Sequence, residues 1–225
     1  MLNVILLEEL IDRVLKEDIG TGDITTNSIV PPGHTTIGFI RAKEPGVVAG
    51  LPVAQAVFRR LSPGISFQQR VREGERVQDG QLLARVEGDA RAILSGERVA
   101  LNFLQRMSGI ATYTARLVDL IRGYKAKIVD TRKTTPGLRL LEKYAVRVGG
   151  GQNHRFGLFD AVLIKDNHIK IAGSITRAVE LARASIPHTM KVEVEVEDLA
   201  GVEEALAAGA DVIMLDNMDV QTIAR

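Results

Sequence analysis

The sequence has 225 residues, 29 basic and 28 acidic side chains for a net charge of +1, and is 45% hydrophobic and 25% charged. That is the composition of an ordinary globular protein with enough chain for a substantial core, and it excludes a disordered tail, a collagen-like repeat and a coiled coil. The absence of cysteine removes disulfides, zinc-thiolate sites and thiol nucleophiles, the balanced charge argues against nucleic-acid or membrane partners, and 4% aromatics with no Trp leaves few rings to stack bases.

The start of the chain, Met1 to Leu7, is apolar but lacks a preceding basic run and meets Glu8, Glu9 and Asp12 at once, unlike a secretory leader. No run reaches about 18 uncharged apolar residues, so no membrane span is predicted and a cytoplasmic location is expected. Leu6, Leu7, Leu10, Ile11, Val14 and Leu15 fall at helical spacing and predict an amphipathic first helix ending near Gly20. Strands are predicted at Thr35 to Arg41, Gly46 to Ala49 and Gln81 to Glu87, with a helix from Pro52 to Leu61. The segment around Gly74 and Gly80 is similar to the sheet of lipoyl or biotinyl carrier domains. Residues 71 to 95 contain no lysine to carry such a group, and a structural sheet is the better reading.

From about Ser95 the periodicity becomes helical, over Glu97 to Met107 and Ala111 to Arg122 with a break expected at Ser108-Gly109. Beyond it, β-branched runs at Lys127 to Thr131, Ala161 to Lys165, Val192 to Val196 and Val212 to Asp216 alternate with helical patterns at Gly137 to Val146, Ser174 to Ala184 and Asp198 to Ala208. The expectation is an α/β protein: an N-terminal α+β, sandwich-like domain with a glycine-rich sheet over residues 1–107, then a parallel α/β barrel over 108–225. Each predicted barrel strand ends in chemically capable residues: Asp130 to Lys133, Lys165 to His168, Glu193 and Glu195, and Asp216-Asn217. Such strand ends converge on one face of a barrel, where active sites are built.

Between Arg122 and Arg155 stand nine basic residues against Asp130 and Glu142, a basic island in a neutral protein. Lys125, Arg139, Lys143 and Arg147 read as solvated helix charges. Arg132 and Lys133 directly follow a strand, and Arg155 follows Gly149-Gly150-Gly151, where backbone can approach a ligand closely, so these three read as anion ligands. His154 beside Arg155 could donate to the same anion, whereas His34 and His188 read as surface groups. The alternating Val192 to Glu197 run predicts valines under the helices and glutamates in the barrel interior, where carboxylates need a cation. With Asp216 on the next strand, Glu195 suits Mg²⁺ held largely through water and a phosphate. No HExxH, GxSxG, GxxxxGK[ST] or suitably placed GxGxxG occurs, so zinc proteolysis, serine hydrolysis and nucleotide cradles lose their usual signals.

The runs Asp130-Thr-Arg-Lys-Thr-Thr-Pro-Gly-Leu-Arg139, Glu142-Lys-Tyr-Ala-Val-Arg147, Gly149-Gly-Gly-Gln-Asn-His-Arg155 and Leu163-Ile-Lys-Asp-Asn-His168 together resemble the quinolinate phosphoribosyltransferases, the carboxylating nicotinate-nucleotide pyrophosphorylases. The likeness extends to Glu17 to Thr26, Glu97 to Ala111 and Leu215 to Asn217. It implies phosphoribosyl transfer from phosphoribosyl pyrophosphate to quinolinate with decarboxylation, giving nicotinate mononucleotide in NAD biosynthesis, with Mg²⁺ and no organic cofactor. It implies that Arg132, His154, Arg155 and Lys165 hold quinolinate with Thr131 near the ring. Lys133, Glu195 and Asp216 would serve as catalytic residues at the sugar pyrophosphate, with Glu195 and Asp216 on its metal. Arg98 would be supplied across the interface of a homodimer or larger homo-oligomer. Family members continue past Asp216-Asn217 with further βα units, so the expected barrel is incomplete within Arg225. A Schiff-base aldolase using Lys165, a phosphoribosyltransferase with another acceptor, and a non-catalytic dimerising scaffold are the alternatives.

Overall fold

A computed structural model describes residues 2–225. The elements run, in chain order, α1 (Val4–Ile19), α2 (Ile24–Ile29), β1 (Thr35–Arg41), β2 (Gly46–Val47), α3 (Leu51–Leu61), β3 (Ser66–Gln69), β4 (Arg76–Val77), β5 (Leu82–Asp89) and α4 (Ala90–Leu120). They continue with α5 (Arg139–Val148), β6 (Val162–Ile164), α6 (Asp166–Ala172), α7 (Ile175–Ser185), β7 (Val192–Val196), α8 (Leu199–Ala207), β8 (Val212–Leu215) and α9 (Val220–Ile223). The chain divides into two compact units, one through His154 and the other Arg155–Arg225. Among the described residues, no helix is long and apolar enough to cross a membrane.

In the first unit β1, β5 and β3 form an antiparallel sheet in the order β1-β5-β3, and β2 pairs with β4. The apolar face of α1 buries Leu7, Leu10, Ile11 and Leu15, and Asn3 caps the helix by accepting the Leu6 N–H. Gly20 ends α1 at φ 54°, a left-handed conformation that glycine adopts without steric cost. The core is centred on α3, whose Leu51, Val53, Ala54 and Val57 are fully buried, packed with α4 residues Val99, Ala100, Phe103, Leu104 and Met107.

The expected break at Ser108-Gly109 is overturned: α4 runs unbroken through both residues for 31 residues. Ser108 and Thr112 lie four apart on one helix face and serve the β2 segment. Ser108 Oγ accepts the Ala49 N–H at 3.0 Å, and Thr112 Oγ1 accepts the Val47 N–H at 2.8 Å. The polar pair that resembled a helix stop therefore satisfies a strand's backbone. The 107/108 division expected from periodicity falls inside this helix.

Glu73 closes the N-terminus of α3, its carboxylate accepting the Gly50 N–H at 2.5 Å and the Leu51 N–H at 3.1 Å. Gly50 has no side chain to cap with, and Glu73 takes over that function from another loop. Burial holds the Glu73 carboxyl above its ordinary 4.5, opposed by those two N–H donors and the Tyr144 hydroxyl. Tyr144 is in turn pushed up to about 12, by burial first and then by the Glu73 charge.

The second unit is a parallel sheet in the order β6-β7-β8 with an open edge, each strand followed by a helix. Val192, Val194 and Val196 are buried against Ile175, Ala178 and Val179 of α7 and Ala205 of α8, while Glu193 and Glu195 take the opposite face. Alternation in β7 thus produces the predicted two-faced strand. The run expected as a strand at Lys127 to Thr131 forms only an isolated parallel bridge between Val129 and Gln152. Two backbone bonds hold it, Gln152 N–H to the Ile128 carbonyl and Asp130 N–H to the Gln152 carbonyl, too few to extend a ladder.

The triple glycine faces protein. A Cβ at Gly149 would overlap the Ala111 carbonyl oxygen of α4, and one at Gly151 would lie 2.8 Å from Val146 Cγ1. The expectation that this run brings backbone to a ligand is therefore replaced by close packing of the chain onto α4. Gly149→Ala should destabilise the protein by about 1–3 kcal/mol through overpacking. Gly109→Ala, with open space around its Cβ in an unbroken helix, should stabilise by up to about 1 kcal/mol. Urea unfolding of both variants checks the pair, and a destabilised Gly109→Ala would contradict helix continuity.

Glu73 also predicts a pH dependence. Its folded-state value is raised, so stability tied to its protonation is full below the unfolded value and is lost as pH rises through the folded one. The stability of the parent minus that of Glu73→Gln should fall as pH rises past the ordinary carboxyl value. A difference that grows as pH rises would contradict the burial account.

Candidate active site

In the first unit the chain after Val129 is organised by Asp130. Its Oδ1 accepts the Lys143 Nζ at 2.5 Å and the His154 backbone N–H at 2.9 Å, and its Oδ2 accepts Asn153 Nδ2 at 2.6 Å. Lys143, expected to be solvated, is instead buried at 3% exposure, because α5 packs its Leu141 and Ala145 face inward and carries the lysine with it. Its Nζ also donates to the His154 carbonyl at 3.0 Å. A buried ammonium is tolerable only when its charge and hydrogen bonds are met, and both are met here.

The loop after Asp130 is held from two helices. Arg139, also expected in solvent, is half-buried and donates from Nε to Thr134 Oγ1 at 3.0 Å and from Nη2 to the Arg132 carbonyl at 3.3 Å. Buried Glu142 accepts the Thr135 N–H at 3.2 Å and Arg106 Nε at 2.9 Å, and Arg106 also reaches the Thr135 hydroxyl. The two remaining basic residues assigned to solvent, Lys125 and Arg147, are exposed.

Within this frame Thr131 is exposed, its Oγ1 accepting the Lys133 N–H at 3.0 Å, and the Lys133 side chain is exposed. Arg132 is half-buried, and its Nε is fully buried with no hydrogen-bond partner. His154 is half-buried. Arg98 occupies an exposed position on α4.

In the second unit Arg155 has the same signature. Its Nη1 donates to the Ala161 carbonyl at 3.2 Å, while its Nε is buried without a partner. Arg132 Nε and Arg155 Nε are the two buried side-chain polar atoms among the described residues that lack one. A buried donor left unsatisfied costs on the order of 1–3 kcal/mol, more when charged, and an incoming carboxylate or phosphate oxygen removes that cost.

Lys165 leaves the end of β6, and its Nζ pairs with Glu195 Oε2 at 2.7 Å. The glutamate side chain is 14% exposed, so the cation that its position on β7 demanded is a lysine of the neighbouring strand's end. The rest of the Lys165 to His168 run is structural. His168 Nδ1 accepts the Lys165 N–H at 2.9 Å in the capping of α6, and Asp166 pairs with Lys170 at 2.8 Å, which lowers the Asp166 carboxyl.

Glu195 pairs in register with Met214, and the Asp216 N–H continues the ladder to the Val196 carbonyl at 2.9 Å. Asp216 is two residues past Met214, so alternation puts Asp216 and Glu195 on one face of the sheet. Asn217 follows at φ 54°, a left-handed position that Asn tolerates, and its Nδ2 donates to Asp216 Oδ2 at 3.1 Å. No group of three or more His, Asp or Glu among the described residues could cage a metal. Two half-buried carboxylates on one face do suit a hydrated Mg²⁺, which takes few protein ligands and keeps its waters.

A parallel sheet in which each strand is followed by a helix, with a cation paired to a carboxylate at the strand ends, defines an α/β protein. Family models for the quinolinate phosphoribosyl transferase N-terminal domain and C-terminal domain match residues 23–108 and 110–225. The chain belongs to the quinolinate phosphoribosyl transferase family. It is 47% identical to a probable nicotinate-nucleotide pyrophosphorylase [carboxylating] of Synechocystis sp. over 98% of this chain and 74% of that protein. The corresponding Bacillus subtilis protein is 46% identical over 99% and 76%. The crystal structure of NadC from Streptococcus pyogenes superposes with a TM-score of 0.94 at 48% identity, covering 99% of this chain and 79% of that one.

Sequence reasoning missed Asp130, Glu142 and Lys143 as the frame of the first unit's loop. The available signal was the lone aspartate at a strand end inside a basic island, which calls for a partner of opposite charge. Lys143→Met should destabilise the fold by about 3–5 kcal/mol, because Asp130 keeps its buried charge. Asp130→Asn added to it should restore most of the loss in urea unfolding. Equal stabilities for the parent and Lys143→Met would contradict burial of the pair.

Proposed function

We propose that this chain transfers the phosphoribosyl group of phosphoribosyl pyrophosphate to quinolinate in the cytoplasm, releasing pyrophosphate and carbon dioxide and leaving nicotinate mononucleotide for NAD biosynthesis. The observation that carries this reading is the pair of buried guanidinium nitrogens without acceptors at Arg132 and Arg155, in a chain of this family. Quinolinate is a planar dicarboxylate, and the arginine fork matches a carboxylate with two parallel hydrogen bonds.

In this reading Arg132, His154, Arg155 and Lys165 hold the carboxylates, and Thr131 lies beside the ring. Lys165 is kept extended from the strand end by its bond to Glu195. The same ion pair argues against a Schiff base on Lys165, since imine formation would strip Glu195 of its partner. Lys133, exposed next to Arg132, supplies a compact charge to the pyrophosphate. Arg98, exposed on α4, serves the site of a second copy in a homodimer or larger homo-oligomer, and neither nucleic acid nor membrane is a partner.

Binding orients the pyridine nitrogen toward the anomeric carbon, which converts a bimolecular encounter into a positioned displacement. The nitrogen forms the new bond as the pyrophosphate oxygen leaves, and the fixed cations stabilise the charge gathering on that oxygen. Glu195 and Asp216 would hold Mg²⁺, which when bound neutralises charge on the pyrophosphate. The alkylated ring is cationic and accepts the electron pair left when the 2-carboxylate departs as carbon dioxide, after which that carbon takes a proton. The substrate is its own electron sink, so no organic cofactor is required.

Mass-spectrometric detection of nicotinate mononucleotide from quinolinate, phosphoribosyl pyrophosphate and Mg²⁺ tests the reading, and conversion of another pyridine acid in preference to quinolinate would overturn it. Arg132→Ala should weaken quinolinate binding by about 2–5 kcal/mol with the fold retained. Titration calorimetry checks this, and unchanged affinity removes Arg132 from the site.

A further inference from the structure

Asp130 stands two residues before Arg132, and Lys143 and Asn153 join it to His154 in a closed set of hydrogen bonds. Both backbone polar groups of His154 are taken by one ion pair, the N–H by Asp130 Oδ1 at 2.9 Å and the carbonyl by Lys143 Nζ at 3.0 Å. Asn153 Nδ2 bridges Asp130 Oδ2 and the Lys143 carbonyl, at 2.6 and 2.9 Å. The peptide planes on either side of His154 are thereby fixed relative to the bridged segment that leads into Arg132. The pair is deeply enclosed, with side-chain exposures of 3% for Lys143 and 8% for Asp130.

Two segments could be joined with less desolvation by an apolar contact, and replacing a buried ion pair by well-packed apolar side chains is often neutral or stabilising. An apolar contact, however, slides and has no direction. Hydrogen bonds to a charged pair set distances and angles, which matters when the ligand is itself rigid. A 1,2-dicarboxylate presents two anions at a separation set by adjacent ring carbons. A receptor prefers it over a monocarboxylate only if its own cations are held at a matching separation, because the second carboxylate otherwise gains nothing to offset its desolvation.

We infer that the buried Lys143–Asp130 pair is a positioning device that sets the spacing of Arg132 and His154 and so selects a 1,2-dicarboxylate over a monocarboxylate. This rests on the proposed function and deepens it. Neither member of the pair touches substrate; both act through the segments they join.

The test measures affinities for pyridine-2,3-dicarboxylate, pyridine-3-carboxylate and phosphoribosyl pyrophosphate by titration calorimetry. It compares the parent, Lys143→Met, and the charge-neutral double variant Asp130→Asn/Lys143→Met. The parent should prefer the dicarboxylate. Both variants should lose about 10- to 100-fold of that preference, through weaker dicarboxylate binding, as expected for small displacement of a positioned group. Affinity for phosphoribosyl pyrophosphate should hold within about twofold in the double variant. Both acids bind only folded molecules, so their affinity ratio is independent of the folded fraction and is readable even where Lys143→Met is partly unfolded. A parent that prefers the dicarboxylate, with the ratio unchanged in both variants, overturns this inference alone. A parent with no preference for the dicarboxylate overturns the proposed function and this inference with it.

Discussion

A guanidinium nitrogen enclosed by protein and given no acceptor is a standing cost, and the fold carries that cost at Arg132 and again at Arg155. Hydrogen bonds hold the segment around each arginine. Arg139 and Thr134 tie down the loop of Arg132, Glu142 and Arg106 fasten the residues after it, and Asp130 anchors the residues before it. Arg155 is held through Nη1 by the Ala161 carbonyl, so its Nε cannot swing out to water without breaking that bond. Polar groups left unsatisfied in a well-packed frame call for a partner, and the proposed function supplies one in the substrate's carboxylates.

The second unit shows the same economy with carboxylates. Glu195 is required by strand alternation to face away from the valine core, and Lys165 meets its charge from the end of the next strand. This leaves Asp216 on the same face with, among the side chains of the described residues, only the Asn217 amide bonded to it. One face of one short parallel sheet therefore presents a cation, the carboxylate it pairs with and a second carboxylate.

Local pattern made much of this legible. The valine-glutamate alternation of β7, the helical spacing of α1 and the β-branched run of β1 each specify their own element, and the structure returns β1 and β7 at the same residues. Arg132 reads as an anion ligand from its place after an expected strand and Arg155 from its place after the glycine run, the structure gives each a buried Nε without a partner, and the family motifs span the chain. What local pattern misreads is what depends on a distant partner. Ser108-Gly109 looks like a helix stop until β2 is placed beside it, when the serine proves to be a hydrogen-bond donor and acceptor for Ala49. Gly149 to Gly151 look like a ligand cradle until α4 is seen lying against them. Lys143 looks solvated on a helix of mixed charge until Asp130 is found opposite, and the nearest sequence cue to that pairing lies 13 residues away.

The central claim, that two enclosed arginine Nε–H groups await the carboxylates of the substrate, is tested most directly by nitrogen-15 NMR of the arginine Nε–H groups, assigned with Arg132→Lys and Arg155→Lys. Saturating pyridine-2,3-dicarboxylate should shift both resonances downfield and slow their exchange with water, leaving those of exposed arginines such as Arg147 in place. Saturation that leaves the Arg132 and Arg155 resonances unmoved would contradict the account.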